Sequence, residues 1–371
     1  MSNSSEEFIP SLYDKMIDNT SYTNSNNKVT RIIVDTHNQN RKKSIHSECI
    51  LKDSFLGSCN GIINAHSIQN SGILDKLSEN NYVLPLDNFT ELFNIDIEKL
   101  LLGKNEATIF RGFCKKHDEV FRPIEDIEYG YNKELQNYLF AYRAFCKRYI
   151  DSKSSYNYYS KRFSDFVDSE KLEGVIEKHA DIPIQRKEIR EHKKTYTNKR
   201  QVKRMEEFNK LLKKNEQLKF IFNTNLEKQR YFKIQTLELE FSAKNILACS
   251  SMIDIATDFQ GKLFNKNLKY PLFLSVLPVG DTTKVLISYL KTHSTYLERI
   301  INVIKNSNVH QQEIILSNIL IKNANNIIFN PLEFRKFNEK SIKIIAGGQL
   351  RRTQSTNEPL VTLKLNIFRP Q

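Results

Sequence analysis

The chain has 371 residues, 39% of them hydrophobic and 27% charged, enough for two or three domains with cores of their own. Its 56 Lys and Arg against 43 Asp and Glu leave a net charge of +13, a balance that attracts polyanions, nucleic acid first among them. Apolar runs such as "YPLFLSVLPV" fall short of the roughly 20 residues of a membrane span, and five cysteines, an odd number, exclude a disulfide scaffold.

"MSNSSEEFIP" has neither a basic nor an apolar segment of the kind that opens a secretory signal, so the expected compartment is a reducing cytoplasm. Residues 1–30, rich in Ser, Asn and Thr, read as a poorly ordered tail. "VTRIIVDTH" (29–37) alternates like a strand. The region 44–125 is compact and rich in Cys and His. It opens β-like, carries a short helix at "SGILDKLSEN", and reaches a second helix near "CKKHDEVF". "KELQNYLFAYRAFCKRYIDSK" (133–153) repeats apolar residues at helical spacing and predicts an amphipathic helix with a wide buried face. Cys146 lies on that face and reads as an inert core thiol.

Residues 185–228 hold no Gly or Pro and predict a long helix or a helical hairpin. Between Arg186 and Arg204 stand nine cations (Arg186, Lys187, Arg190, Lys193, Lys194, Lys199, Arg200, Lys203 and Arg204) against two Glu. Such density fits phosphate binding, and it fits a solvated helix face equally well. After Arg230 the pattern becomes strand-like in "YFKIQTLELEFSA", "ILACSSMIDIATDF", "YPLFLSVLPVGDTTKVLISYL" and "VTLKLNIF". Helical patterns intervene at "THSTYLERIINVIKNS" and "QQEIILSNILIKNANNIIF", and Cys249 reads as a small buried hydrophobe.

Structural zinc is held by four Cys or His groups, commonly as two pairs. Cys114 and His117, two residues apart at a helix start, make one pair. Cys49 and Cys59, with nine residues between them, allow a hairpin whose ends meet and make the other. A widened knuckle followed by a distant helix-borne pair is the outline of a treble clef. His66 is left over, delivered at the end of the apolar "IINAH".

The series Cys59, Ala65-His66 and a helix carrying Cys114, His117 and Asp118 resembles the HNH endonuclease type of treble clef over about residues 45–150. The boxes "AHSIQ" (65–69) and "GFCKKHD" (112–118), and more weakly "NNIIFNPLEF" (325–334), are similar to those of uncharacterised bacterial proteins associated with anti-phage defence. The resemblance implies that His66 is the general base, that Asp118 helps hold a divalent Mg²⁺ or Mn²⁺, and that Cys49, Cys59, Cys114 and His117 bind a structural zinc. Ala65 departs from the pattern, since many HNH enzymes have a metal ligand beside the base. The family's middle Asn has three candidates here, Asn88, Asn94 and Asn105.

The expected architecture is α+β. It comprises a tail (1–30), a zinc-stabilised HNH-like ββα module (31–150), a basic helical connector (151–229) and a C-terminal α+β domain (230–371). The expected function is nucleic-acid binding with metal-dependent cleavage of DNA or RNA, in a defence or toxin setting. The alternative is a non-catalytic zinc-stapled protein whose C-terminal domain binds a protein or a small-molecule signal. Neither reading involves a membrane.

Overall fold

The computed structural model describes residues 42–54, 56–86, 97–167, 197–255, 257–264, 270–351 and 359–370. The described residues form two compact units, one of 42–46, 151–167 and 197–217 and the other drawn from 47–150 and 218–370.

The larger unit is built on a seven-stranded sheet. Its strands are β2 (Tyr82–Pro85), β3 (Leu102–Gly103), β5 (Ile234–Phe241), β6 (Leu247–Ile255), β7 (Tyr270–Val279), β8 (Thr282–Leu290) and β9 (Ile327–Phe329). Their order is β3-β2-β9-β6-β7-β8-β5, and every pair is antiparallel. A two-residue turn joins β7 to β8, with Gly280 at φ 58°, the left-handed backbone that glycine adopts freely.

Alternate residues of these strands go to opposite faces. On β6, Leu247, Cys249 and Ile253 join one core, while Ala248 and Met252 face the other side. On β7, Leu272, Leu274 and Val276 take the first face, and Phe273 and Leu277 the second. Both faces are therefore covered, which is why these strands read as nearly continuous apolar runs.

The first face packs under α4 (Ser294–Asn306), α5 (Val309–Asn323) and α6 (Glu339–Arg351). Leu297, Ile300, Ile301 and Ile304 form the buried stripe of α4, and Asn308 caps α5 with a capping box completed by Gln311. The second face packs against the Cys/His region and against residues 133–150 of α2 (Lys133–Val167) and 218–227 of α3 (Thr197–Glu227). Aromatic contacts run through that core from Phe113 to Tyr142 (6.4 Å), on to Phe222 (5.3 Å) and to Phe273 of the sheet (5.2 Å).

The helix expected from residue 133 is present and longer than its apolar pattern, reaching Val167. Three differences from the sequence reading have physical causes. The "NNIIF" end of the expected helix leaves α5 at Asn323 and becomes β9, because the slot between β2 and β6 takes apolar side chains on both faces. "VTLKLNIF" is not a strand. Its backbone groups bond to side chains of α5 instead of a neighbouring strand: Asn318 Oδ1 accepts from Thr362 and Leu363 N–H (3.0 and 2.7 Å), and Ser317 Oγ from Ile367 N–H (2.9 Å). Third, β2 and β3 come from the Cys/His region yet pair into the sheet through β9, so the sheet draws on both sides of the expected 150/230 boundaries.

In the smaller unit, α2 residues 151–167 and α3 residues 197–217 run as helix, with Tyr159 stacked on Phe208 at 4.9 Å and Lys153 paired with Glu216 at 3.1 Å. The expected tail (1–30) and the strand at 29–37 lie outside the described residues.

Candidate metal centre and the histidine beside it

A short antiparallel ribbon, its two strands distant in the chain, leads into the centre. β1 (Ala65–His66) pairs with β4 (Ile109–Phe110), and the pairing continues through an Ile62–Cys114 bridge and an Ile63 N–H to Phe113 carbonyl bond of 2.9 Å. The returning strand passes directly into α1 (Lys115–Asp118), for which Cys114 is the residue before the first turn. The loop before β1 is tied to the segment after β4 by Glu48 N–H to Arg111 O (3.2 Å) and Ile50 N–H to Gly112 O (2.9 Å). These bonds bring Cys49 against the start of α1.

Cys49, Cys59, Cys114 and His117 come together, each offering one ligand atom, with all four atoms within 4.8 Å of one another. His117 Nδ1 lies 3.1 Å from Cys49 Sγ and 3.5 Å from Cys59 Sγ. Tetrahedral bonds of about 2.3 Å to sulfur and 2.0 Å to nitrogen place S and N roughly 3.5 Å apart, so the donor set fits a four-coordinate ion. Cys49, Cys114 and His117 are buried and Cys59 is exposed. His117 Nε2 is buried without a hydrogen-bond partner, beside the Leu56 and Gly57 backbone. Among the described residues no other group of three or more Cys, His, Asp or Glu has ligand geometry.

With no metal bound, burial works against the thiolate forms of these groups. Burial pushes the Cys49 thiol up to about 12, and burial likewise raises Cys59. Burial also acts to raise Cys114, but the backbone N–H groups of Asn60 and His117 and the neighbouring thiols outweigh it and hold that thiol below its ordinary value. His117 is held below the usual imidazole range by burial and by Lys116. It is therefore neutral at pH 7, as a ligand must be.

His66 stands apart from these four. Its Nδ1 lies 3.0 Å from the Ala107 carbonyl, which can only accept, so Nδ1 carries the proton and Nε2 keeps its lone pair. Burial and Arg143 lower its pKa, against the opposing Ala107 carbonyl and Glu125. Asp118 follows the last Cys/His ligand on α1, and its Oδ1 is buried without a partner. Burial raises this carboxyl, with Arg143 opposing and Glu125 adding to the rise.

Arg143 and Glu125 thus act electrostatically on both His66 and Asp118. Arg143, on α2, is 3% exposed, pairs with Glu125 at 2.5 Å and lies 4.2 Å over the Phe121 ring. Sequence reasoning missed this pair. Its signal was an arginine inside the apolar run "FAYRAF".

Every residue of the "AHSIQ" box has work to do. Ala65 and Ile68 are buried in the core, and Ser67 Oγ donates to the Thr108 carbonyl (2.9 Å). Gln69 Nε2 donates to the Glu125 carbonyl (2.6 Å). Of the candidates for the middle Asn, Asn105 accepts from Asn70 at 2.8 Å, while Asn88 and Asn94 lie outside the described residues. Arg186, Lys187, Arg190, Lys193 and Lys194 also lie outside them. Lys199, Arg200, Lys203 and Arg204 fall within the span of α3, and their side chains lie outside the described residues. Cys146 and Cys249 are buried thiols remote in role from the centre. No helix among the described residues is long and apolar enough to cross a membrane.

No protein-family model matches this chain, and no curated protein or solved structure matches it.

Proposed function

We propose that the chain is a nucleic-acid phosphodiesterase of HNH-like design, with a treble-clef module stapled by zinc and a separate hydrolytic site at His66 and Asp118. The observation that supports this most is the state of His66. It is a half-buried histidine with its tautomer set by the Ala107 carbonyl, on the strand whose partner runs straight into the metal-bearing helix.

Cys49, Cys59, Cys114 and His117 suit zinc, because three thiols and one imidazole are the soft and borderline donors of structural zinc sites. Their work is to fix the β1–β4 ribbon against α1. His66 Nε2 takes the proton of an attacking water; the water oxygen bonds to phosphorus, the P–O ester bond breaks, and the leaving oxygen is protonated from solvent. Asp118 Oδ1, an unpartnered carboxylate oxygen, suits a hard Mg²⁺ or Mn²⁺. Such an ion, when bound, supplies positive charge to the phosphate. The basic run 186–204 supplies the attraction for the polyanion.

One observation favours the alternative of a non-catalytic stapled protein: among the described residues Asp118 belongs to no group of three or more Cys, His, Asp or Glu with ligand geometry. The test is nicking of supercoiled plasmid by purified protein with Mg²⁺ or Mn²⁺. His66→Ala is expected to keep metal content, melting temperature and DNA affinity while losing at least ~100-fold in rate. A folded, metal-loaded His66→Ala protein nicking at the wild-type rate ends this reading.

A further inference from the structure

We propose that Asn326, just before β9, is a positioning residue for His66, acting through Ser67 and the strained backbone of Thr108. This rests on the assignment of His66 as the base.

β1 and β4 share only two residue pairs, too short a ribbon to hold a side chain in place by itself. The chain opposite His66 is strained as well. Thr108 has φ +62°, a left-handed conformation that a β-branched residue rarely adopts and that persists only where its surroundings impose it. The peptide linking Ala107 to Thr108 carries the carbonyl that accepts from His66 Nδ1, so this turn sets the tautomer of the ring.

What imposes the turn is a buried polar chain. The Thr108 carbonyl accepts twice from Ser67, from its N–H at 3.0 Å and its Oγ at 2.9 Å. Ser67 Oγ, its one proton spent, accepts from Asn326 Nδ2 at 2.9 Å. The same amide nitrogen donates to the Ser250 carbonyl on β6 at 2.8 Å. Both amide protons are used, both acceptors are fixed, and the amide has a single workable orientation. Ser67 and Asn326 are 2% and 7% exposed, so water offers no substitute partner. Asn326 immediately precedes β9, whose register with β6 fixes its place. The sheet thereby reaches the β1–β4 ribbon at the residue next to the histidine.

The experiment labels histidine with ¹⁵N and reads the His66 tautomer, beside nicking kinetics and metal content, in wild type, Asn326→Ala, Ser67→Ala and Thr108→Gly. Wild type is expected to be the Nδ1–H tautomer. Asn326→Ala is expected to mix tautomers and lower kcat by on the order of tenfold or more, with KM and metal content unchanged. Thr108→Gly takes the same φ without strain and also removes the hydroxyl 3.4 Å from His66 Nδ1, so it tests the turn itself. Ser67→Ala, which breaks the relay and leaves that hydroxyl in place, repeats the tautomer change if Asn326→Ala does not fold. Folded variants whose His66 signals stay at wild-type positions overturn the inference. Wild-type protein that never nicks overturns the phosphodiesterase reading alone, and the tautomer then decides this one.

Discussion

Under the proposed zinc ligation, lowering the pH should strip the metal with a steepness set by the thiols. With burial holding Cys49 up to about 12 and Cys59 above its ordinary value, both are fully protonated thiols at pH 6 to 8 when no metal is bound. Ligation requires thiolates, so each must release its proton. Cys114, held below its ordinary value, releases a further fraction of a proton, and His117, neutral already, releases none at pH 7. The logarithm of the zinc association constant should therefore rise by about 2 to 3 per pH unit. The sign is fixed: affinity grows with pH and is lost on acidification. In excess free zinc, two protons correspond to about 2.7 kcal/mol of folding stability lost per pH unit of acidification, as long as the site stays saturated. Competition against a chromogenic chelator between pH 6 and 8, corrected for the chelator's own protonation, gives the slope. Calorimetry in buffers of different ionisation enthalpy gives the proton count independently. A slope below one, or release of less than one proton, would refute the assignment of Cys49 and Cys59 as ligands.

Cys114→Ser should lose metal and melt earlier, whereas Cys249→Ser, in the sheet core, should keep its full metal content; equal zinc in both proteins would contradict the four-ligand centre. Glu125→Gln leaves the Arg143 cation buried without its carboxylate and should cost about 2–3 kcal/mol, reduced from the full buried-pair value because Glu125 is partly exposed. Arg143→Met removes the charge itself and keeps an apolar contact over Phe121, so denaturant unfolding should find it the less damaging change. Replacing Lys193, Lys194, Lys199 and Arg200 with Gln should flatten the salt dependence of DNA binding, at about 0.9 in log–log slope per lost phosphate contact, and an unchanged slope returns the run to a solvated face.

The clustering of Cys49, Cys59, Cys114 and His117 was legible because metal binding constrains residue type, and few Cys and His are available to satisfy it. Cys114 and His117 declare themselves by spacing at a helix start, and Cys49 and Cys59 by standing in the same stretch of chain. The long helix from Lys133 and the β5–β8 strands were legible too, since helical periodicity and apolar, β-branched runs between turn signals are local properties of the chain. Where periodicity met an alternative partner, the sequence misled: "VTLKLNIF" has a strand's pattern, but Ser317 and Asn318 satisfy its backbone. "NNIIF" continues a helical pattern, but the slot between β2 and β6 claims it.

The tertiary structure alone decided which polar residues meet. Ser67 and Asn326 are 259 positions apart, and nothing in either neighbourhood marks the other. The same holds for Arg143 and Glu125, whose pairing depends on α2 folding back over the turns that follow α1. A buried hydrogen bond between distant residues leaves no periodic trace in the chain, because its value comes from the absence of water, and only packing creates that absence.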